Sequence, residues 1–135
     1  MKIEAKWQSG MHFKCTSPSG HTIDVDSGSD GMTKGPSPME LLLHSVACCS
    51  GIDVVLILQK KRKEPESLNV TVEGIRSESH PKKYTDVKLH FSVKHDSVTN
   101  EEMEQAINLS LDKYCSVIGT ITPAAKISWD YTINN

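Results

Sequence analysis

An α+β fold in the order β-β-β-α-β-β-α-β, two helices packed on one face of an antiparallel sheet, is what this sequence predicts. Three observations lead there. Residues 67–78 and 86–95 alternate apolar and polar side chains, the second as Val87, Leu89, Phe91 and Val93 against Lys88, His90, Ser92 and Lys94, which is the period of strands with one buried face. Residues 37–60 (SPMELLLHSVACCSGIDVVLILQK) form the most apolar stretch and carry clear helix boundaries. A second helix opens with Thr99 as its cap and Glu102 closing a capping box, and its apolar positions Met103, Ala106, Ile107, Leu111 and Tyr114 recur at helical spacing as an expected buried stripe.

The remaining elements follow in chain order. Segments 2–7, 11–16 and 21–26 read as a three-stranded meander punctuated by Ser9-Gly10 and Pro18-Ser19-Gly20. Residues 27–36 are rich in Gly, Ser, Asp and Pro and predict an exposed loop. For the long helix, Ser37 is the expected cap, Pro38 suits the first helical position, and Glu40 completes a Ser-x-x-Glu capping box. Lys60, Lys61, Arg62 and Lys63 complement the negative end of its dipole, and Pro65 forbids continuation. The helix spans ~36 Å and is apolar on nearly every side, so it must be enclosed by its own sheet and by another helix or subunit. After Cys115 a short helical segment is broken by Gly119 and Pro123, and a last strand covers 126–133.

A chain of 135 residues fits one domain, 1–135, with a core that needs no metal or disulfide. A net charge of −2 supplies no basic field for nucleic acid or an anionic membrane. The apolar run inside the long helix contains His44, Ser45, Ser50 and Asp53, and a central Asp opposes membrane insertion by roughly 2.5–3.5 kcal/mol, so a buried soluble helix is expected. The start MKIEAKW has no apolar signal region, and the four cysteines therefore read as free thiols of a reducing, cytoplasmic compartment.

Cys48 and Cys49 point about 100° apart on the helix and cannot face one pocket. One of them is expected to be core, as is Cys15 on the second strand. Cys115 follows Lys113 and precedes a helical turn, both of which favour a thiolate. Asp53, four residues after Cys49, shares its face. His44 lies four residues from both Glu40 and Cys48, yet no second close Cys/His pair completes four ligands, so no metal site is expected. The other histidines, His12, His21, His80, His90 and His95, read as solvated.

The stretches PSPMELLLHSVACCSGIDVV and DKYCSVI resemble the OsmC/Ohr superfamily, the relatives of osmotically inducible protein C and of the organic hydroperoxide resistance proteins, over nearly the whole chain. The resemblance implies an OsmC-like fold with a long central helix, an intertwined homodimer with sites at the subunit interface, and reduction of organic hydroperoxides by a peroxidatic cysteine aligned on Cys49 and a resolving cysteine aligned on Cys115. It implies no prosthetic cofactor, only an external dithiol reductant, lipoyl-type in one branch. Glu40 stands at the second of the family's paired acids, with Met39 at the first, and no arginine precedes Arg62, so Lys14 is the cation nearest in kind to the family's arginine. Ser116 replaces the proline after the second cysteine. The apolar positions Leu42, Val46 and Ile52 would favour an organic hydroperoxide. The competing expectation is a non-enzymatic module that binds a small hydrophobic ligand or senses redox state.

Overall fold

A computed structural model describes residues 1–29 and 31–135; the loop position Asp30 lies outside the described residues. The chain divides into two compact units, residues 1–42 and 43–135.

The first unit is the expected meander. Strands β1 (Glu4–Ser9), β2 (His12–Thr16) and β3 (Thr22–Asp26) form a three-stranded antiparallel sheet in sequence order. Gly10 turns the first hairpin with φ at 52°, a conformation that costs glycine little. Behind β3, both oxygens of the Asp26 carboxylate accept backbone N–H groups, from Gly28 and Lys34, at 3.0 Å each, which ties those two positions to the end of the strand. Those two bonds hold the Asp26 carboxyl below its ordinary range. The unit ends in the first turn of α1 (Pro38–Lys60), where the capping box forms as expected: the Glu40 carboxylate accepts the Ser37 N–H at 2.7 Å and Ser37 Oγ accepts the Glu40 N–H at 3.3 Å.

In the second unit, β4 (Ser67–Arg76), β5 (Tyr84–Lys94) and β6 (Lys126–Ile133) form a separate three-stranded sheet with β5 in the middle. One detail differs from the antiparallel expectation: β5 pairs antiparallel with β4 but parallel with β6. The reason is the connection. Between β5 and β6 run α2 (Asn100–Leu109), a π turn (Ser110–Tyr114) and α3 (Ser116–Ile121), and such a helical crossover carries the chain back to the end of the sheet where β5 began, so that β6 enters beside Asp86. The cap of α2 is as read, with Thr99 and Glu102 closing both halves of the box.

Helix α1 buries Val46, Ser50, Val54 and Leu58 completely, one residue in every turn. Gly51 on the adjacent flank is buried too, and a Cβ there would already touch Val70 of β4 at 3.4 Å, so the missing side chain is what lets helix and strand approach. The outer flank is open: Ile52 is 60 % and Leu56 49 % exposed, and with Cys48, Val55, Leu68 and Val70 they border an apolar groove of about 570 Å³. This is the side the sequence required a further body to cover. Length and composition alone would let α1 cross a membrane.

The end of α1 is a Schellman turn in which Lys63 N–H reaches the Leu58 carbonyl and Arg62 N–H the Gln59 carbonyl, each at 2.9 Å. The basic run also ties α1 to α2: Lys63 Nζ lies 2.8 Å from Glu102 and Lys61 Nζ bonds Gln105. Lys63, with the Thr99 backbone bond behind it, keeps the Glu102 carboxyl low. Arg62 occupies the left-handed position with φ at 59°, where glycine is favoured by about 1 kcal/mol. Chemical denaturation of Arg62→Gly is therefore expected to show a gain approaching 1 kcal/mol, whereas Leu58→Ala should lose ~2–5 kcal/mol through the cavity it leaves.

Candidate functional site

The long helix places Cys49 and Asp53 one turn apart, on the flank next to its buried stripe. The π turn and α3 bring Cys115 to the same place. The two Sγ atoms and a carboxylate oxygen of Asp53 all lie within 4.8 Å of one another. Cys49 and Asp53 are half-buried and Cys115 is buried. All four cysteines are free thiols.

How Cys115 arrives there was not visible in the periodicity. The π turn adds a residue to one turn of helix, so that Cys115 N–H bonds the Ser110 carbonyl five positions back, at 2.7 Å. This extra residue rotates everything after it. Tyr114, expected in the buried stripe, is 52 % exposed, and Cys115 turns inward instead. Ser110 occupies the stripe position one turn after Ala106 and Ile107, is fully buried, and donates its Oγ–H to Asp53 Oδ2 at 2.9 Å. The sequence signal for Ser110 was there: a small polar residue where the stripe calls for an apolar one.

Cys115 caps α3, its sulfur accepting the Ile118 N–H at 3.5 Å. That bond favours a thiolate, as expected from position, but burial opposes it and wins: desolvation, with the adjacent Cys49 sulfur adding to it, pushes the Cys115 thiol up to about 11. Lys113 does not reverse this, because its ammonium sits over the Tyr114 ring, 5.3 Å from the centroid. Cys115 is a protonated thiol at neutral pH, not the activated one that sequence position suggested.

Other expected residues fall elsewhere. Cys48, a candidate core residue, is exposed on the groove side of α1. Val46 is in the core and Ile52 on the open flank, so they do not form one wall beside Cys49. Cys15 is half-buried on β2. Glu40 and Lys14 belong to the first unit, where Glu40 completes the cap and Lys14 lies 3.7 Å from Asp24. His44 is exposed. His12, read as solvated, is instead half-buried and bonds Asp24 at 2.7 Å; that bond, helped by Lys14, keeps the Asp24 carboxyl low.

A family model described as OsmC-like protein matches residues 29–130. Protein YhfA of Escherichia coli K12 is 38 % identical over 133 residues, covering 98 % of each chain. A crystal structure of a hypothetical protein from Aquifex aeolicus shares 35 % identity with a TM-score of 0.84, over 99 % of this chain and 97 % of that one. The OsmC-like protein of Mycoplasma pneumoniae superposes with a TM-score of 0.86 over 99 % and 96 % of the two chains at 20 % identity, a likeness of fold.

The electrostatics of Cys115 predict a pH dependence. Because the fold favours its neutral form, ionisation that begins near 9 in the unfolded chain is delayed to about 11 in the folded one. The resulting stabilisation is present below pH 9 and is lost as pH rises from there through about 11. Iodoacetamide labelling followed by peptide mass spectrometry should accordingly find Cys115 slower than Cys49 at pH 7, with its rate still climbing above pH 9.

Proposed function

The chain belongs to the OsmC-like family, membership that supports a peroxide-related redox function, and on that premise we propose that it is a thiol-dependent peroxidase acting on organic hydroperoxides. The observation that carries this reading is the meeting of Cys49 and Cys115, remote in sequence, with sulfurs within 4.8 Å of each other. Cys49, on the accessible side of the pair, is the peroxidatic residue. Its thiolate attacks the peroxide O–O bond, takes one oxygen as a sulfenic acid, and releases the other as an alkoxide that leaves protonated as the alcohol. Cys115 keeps its proton until it is needed: its thiol condenses with the Cys49 sulfenic acid, expelling water and closing a disulfide. An external dithiol then reduces that disulfide, and no prosthetic group takes part. Glu40 and Lys14 are assigned supporting roles at most, the one as a helix cap and the other as a surface cation of β2.

The same reading takes residues 1–135 as one OsmC-like domain in the cytoplasm. Proteins of this family are typically homodimers. A second copy covering Ile52 and Leu56 would bury the exposed flank of α1, where each of these half-exposed side chains withdrawn from water contributes ~1–2 kcal/mol. Sedimentation of the wild type should show a dimer, and Ile52→Asp with Leu56→Asp should shift it to monomer.

The decisive chemical test uses cumene hydroperoxide with dihydrolipoate as reductant. Turnover is expected in the wild type and none in Cys49→Ser. Cys115→Ser should complete one reaction per site and then over-oxidise Cys49 to the sulfinic acid. One equivalent of peroxide should yield a Cys49–Cys115 disulfide by peptide mapping. Intact protein with both thiols still free after that treatment defeats the peroxidase reading and leaves a ligand-binding or redox-sensing module.

A further inference from the structure

The peroxidase reading uses the two thiols and leaves Asp53 without a task. A carboxylate beside a nucleophilic thiol is an electrostatic burden, since like charge disfavours the thiolate. Among the described residues Asp53 forms no ion pair, and its hydrogen bond comes from a neutral hydroxyl, Ser110. The sequence contained no four-ligand motif, but the fold assembles three ligating atoms from two segments. Among the described residues this is the one cluster of three potential metal ligands.

We propose that Cys49, Asp53 and Cys115 form a binding site for a thiophilic divalent cation of the zinc type, with the fourth coordination position left open. The geometry fits. Tetrahedral zinc with Zn–S near 2.3 Å and Zn–O near 2.0 Å sets its ligand atoms roughly 3.5–3.8 Å apart, so atoms already within 4.8 Å of one another need close by about 1.3 Å at most. Two sulfurs and one oxygen are a donor set that selects zinc or cadmium over magnesium or calcium. Two of the ligands sit at i and i+4 of α1, the spacing that points side chains at a common ion. The third is held by its own backbone bond to Ser110. Ser110 serves twice: its carbonyl fixes the Cys115 backbone and its hydroxyl fixes the Asp53 carboxylate, the outer-shell support that metal ligands require. The π turn that makes both contacts possible is a distortion of the kind that gathers at functional sites.

Binding converts the two thiols and the carboxylate to a dithiolate–carboxylate complex of the cation and releases two protons to solvent. The sulfurs do not change oxidation state. Bound, they are withheld from peroxide; once joined as a disulfide, they no longer coordinate. Cation and oxidant therefore compete for the same pair, and occupancy is a record of reduced thiols.

The test uses the full-length, reduced, metal-stripped protein titrated with Co²⁺ and with Zn²⁺ against a chromophoric chelator. Expected are one cation per chain, a thiolate-to-cobalt charge-transfer band, and tetrahedral d–d absorption. Cys49→Ser and Cys115→Ser should each weaken the band, and the double variant abolish it. Asp53→Asn should weaken binding by at least tenfold, Ser110→Ala by ~10–100-fold, and Cys15→Ser not at all. Protein oxidised with one equivalent of peroxide should bind none. Absence of the charge-transfer band, or binding that survives the double cysteine variant, overturns the site, and an unchanged affinity in Asp53→Asn with native circular dichroism overturns the assignment of Asp53. Since coordination requires only reduced thiols, a chain inactive on hydroperoxides still has to bind, and a peroxidase that binds no cation refutes this inference alone.

Discussion

The rotation of α1 about its own axis is the constraint on which the rest of the second unit depends. Complete burial of Val46, Ser50, Val54 and Leu58 sets that rotation, because a helix with four fully enclosed positions in register cannot turn without exposing all of them. Ser50 manages to be one of the four by donating its hydroxyl to the Val46 carbonyl at 2.7 Å, so its polar atom is satisfied within the helix. The other faces follow from 100° per residue. Gly51 and Val55 flank β4, Cys48, Ile52 and Leu56 face outward, and Cys49 and Asp53 are left on the flank where Ser110 and Cys115 arrive. A shift of one residue in the register of this helix would bring Cys48 to the site in place of Cys49.

The second constraint is the π turn. An uninterrupted α2 would have carried Tyr114 into the buried stripe and Cys115 about 100° away from it. One inserted residue exchanges their places. It also frees Ser110 to address Asp53 and places Cys115 under enough cover to keep its thiol protonated. The two thiols are thereby made unequal by position alone: one half-buried on a long helix, one enclosed at a helix junction. Unequal thiols are what sequential redox chemistry uses, with one reacting outward and the other answering inward.

What could be read from the sequence was local or periodic. Both capping boxes, the strand alternation of β5, the end of α1 at the basic run and the pairing of Cys49 with Cys115 rest on signals carried within a few residues or on a family motif. What could not be read depended on contacts between distant segments. The parallel pairing of β6 is set by how a crossover of three helical pieces lands, and nothing within 126–133 encodes it. The burial of His12 against Asp24 comes from the pairing of β2 with β3, which places residues far apart in sequence side by side. Cys48 misled in a simpler way: a cysteine in an apolar helix reads as core, but α1 is apolar on more sides than its own unit can cover.

The chemistry of the site turns on charge more than on shape. Lys14 of β2, the cation nearest in kind to the family's arginine, is engaged with Asp24 of β3, and a lysine would in any case offer a point charge where a guanidinium offers a fork. What the second unit itself places beside the thiols is Asp53, a negative group. A site with two sulfurs, a carboxylate and a supporting hydroxyl is poorly matched to stabilising an anionic leaving group, yet well matched to neutralisation by a cation from solution. The two proposed roles are compatible in one molecule because they would use different protonation and oxidation states of the same atoms: a reduced pair would be occupied or free, a free pair would be open to oxidation, and an oxidised pair would do neither until a dithiol restored it. Asp53 would then tip the balance toward occupancy, because a carboxylate beside a thiol disfavours the free thiolate and at the same time adds a ligand for a cation.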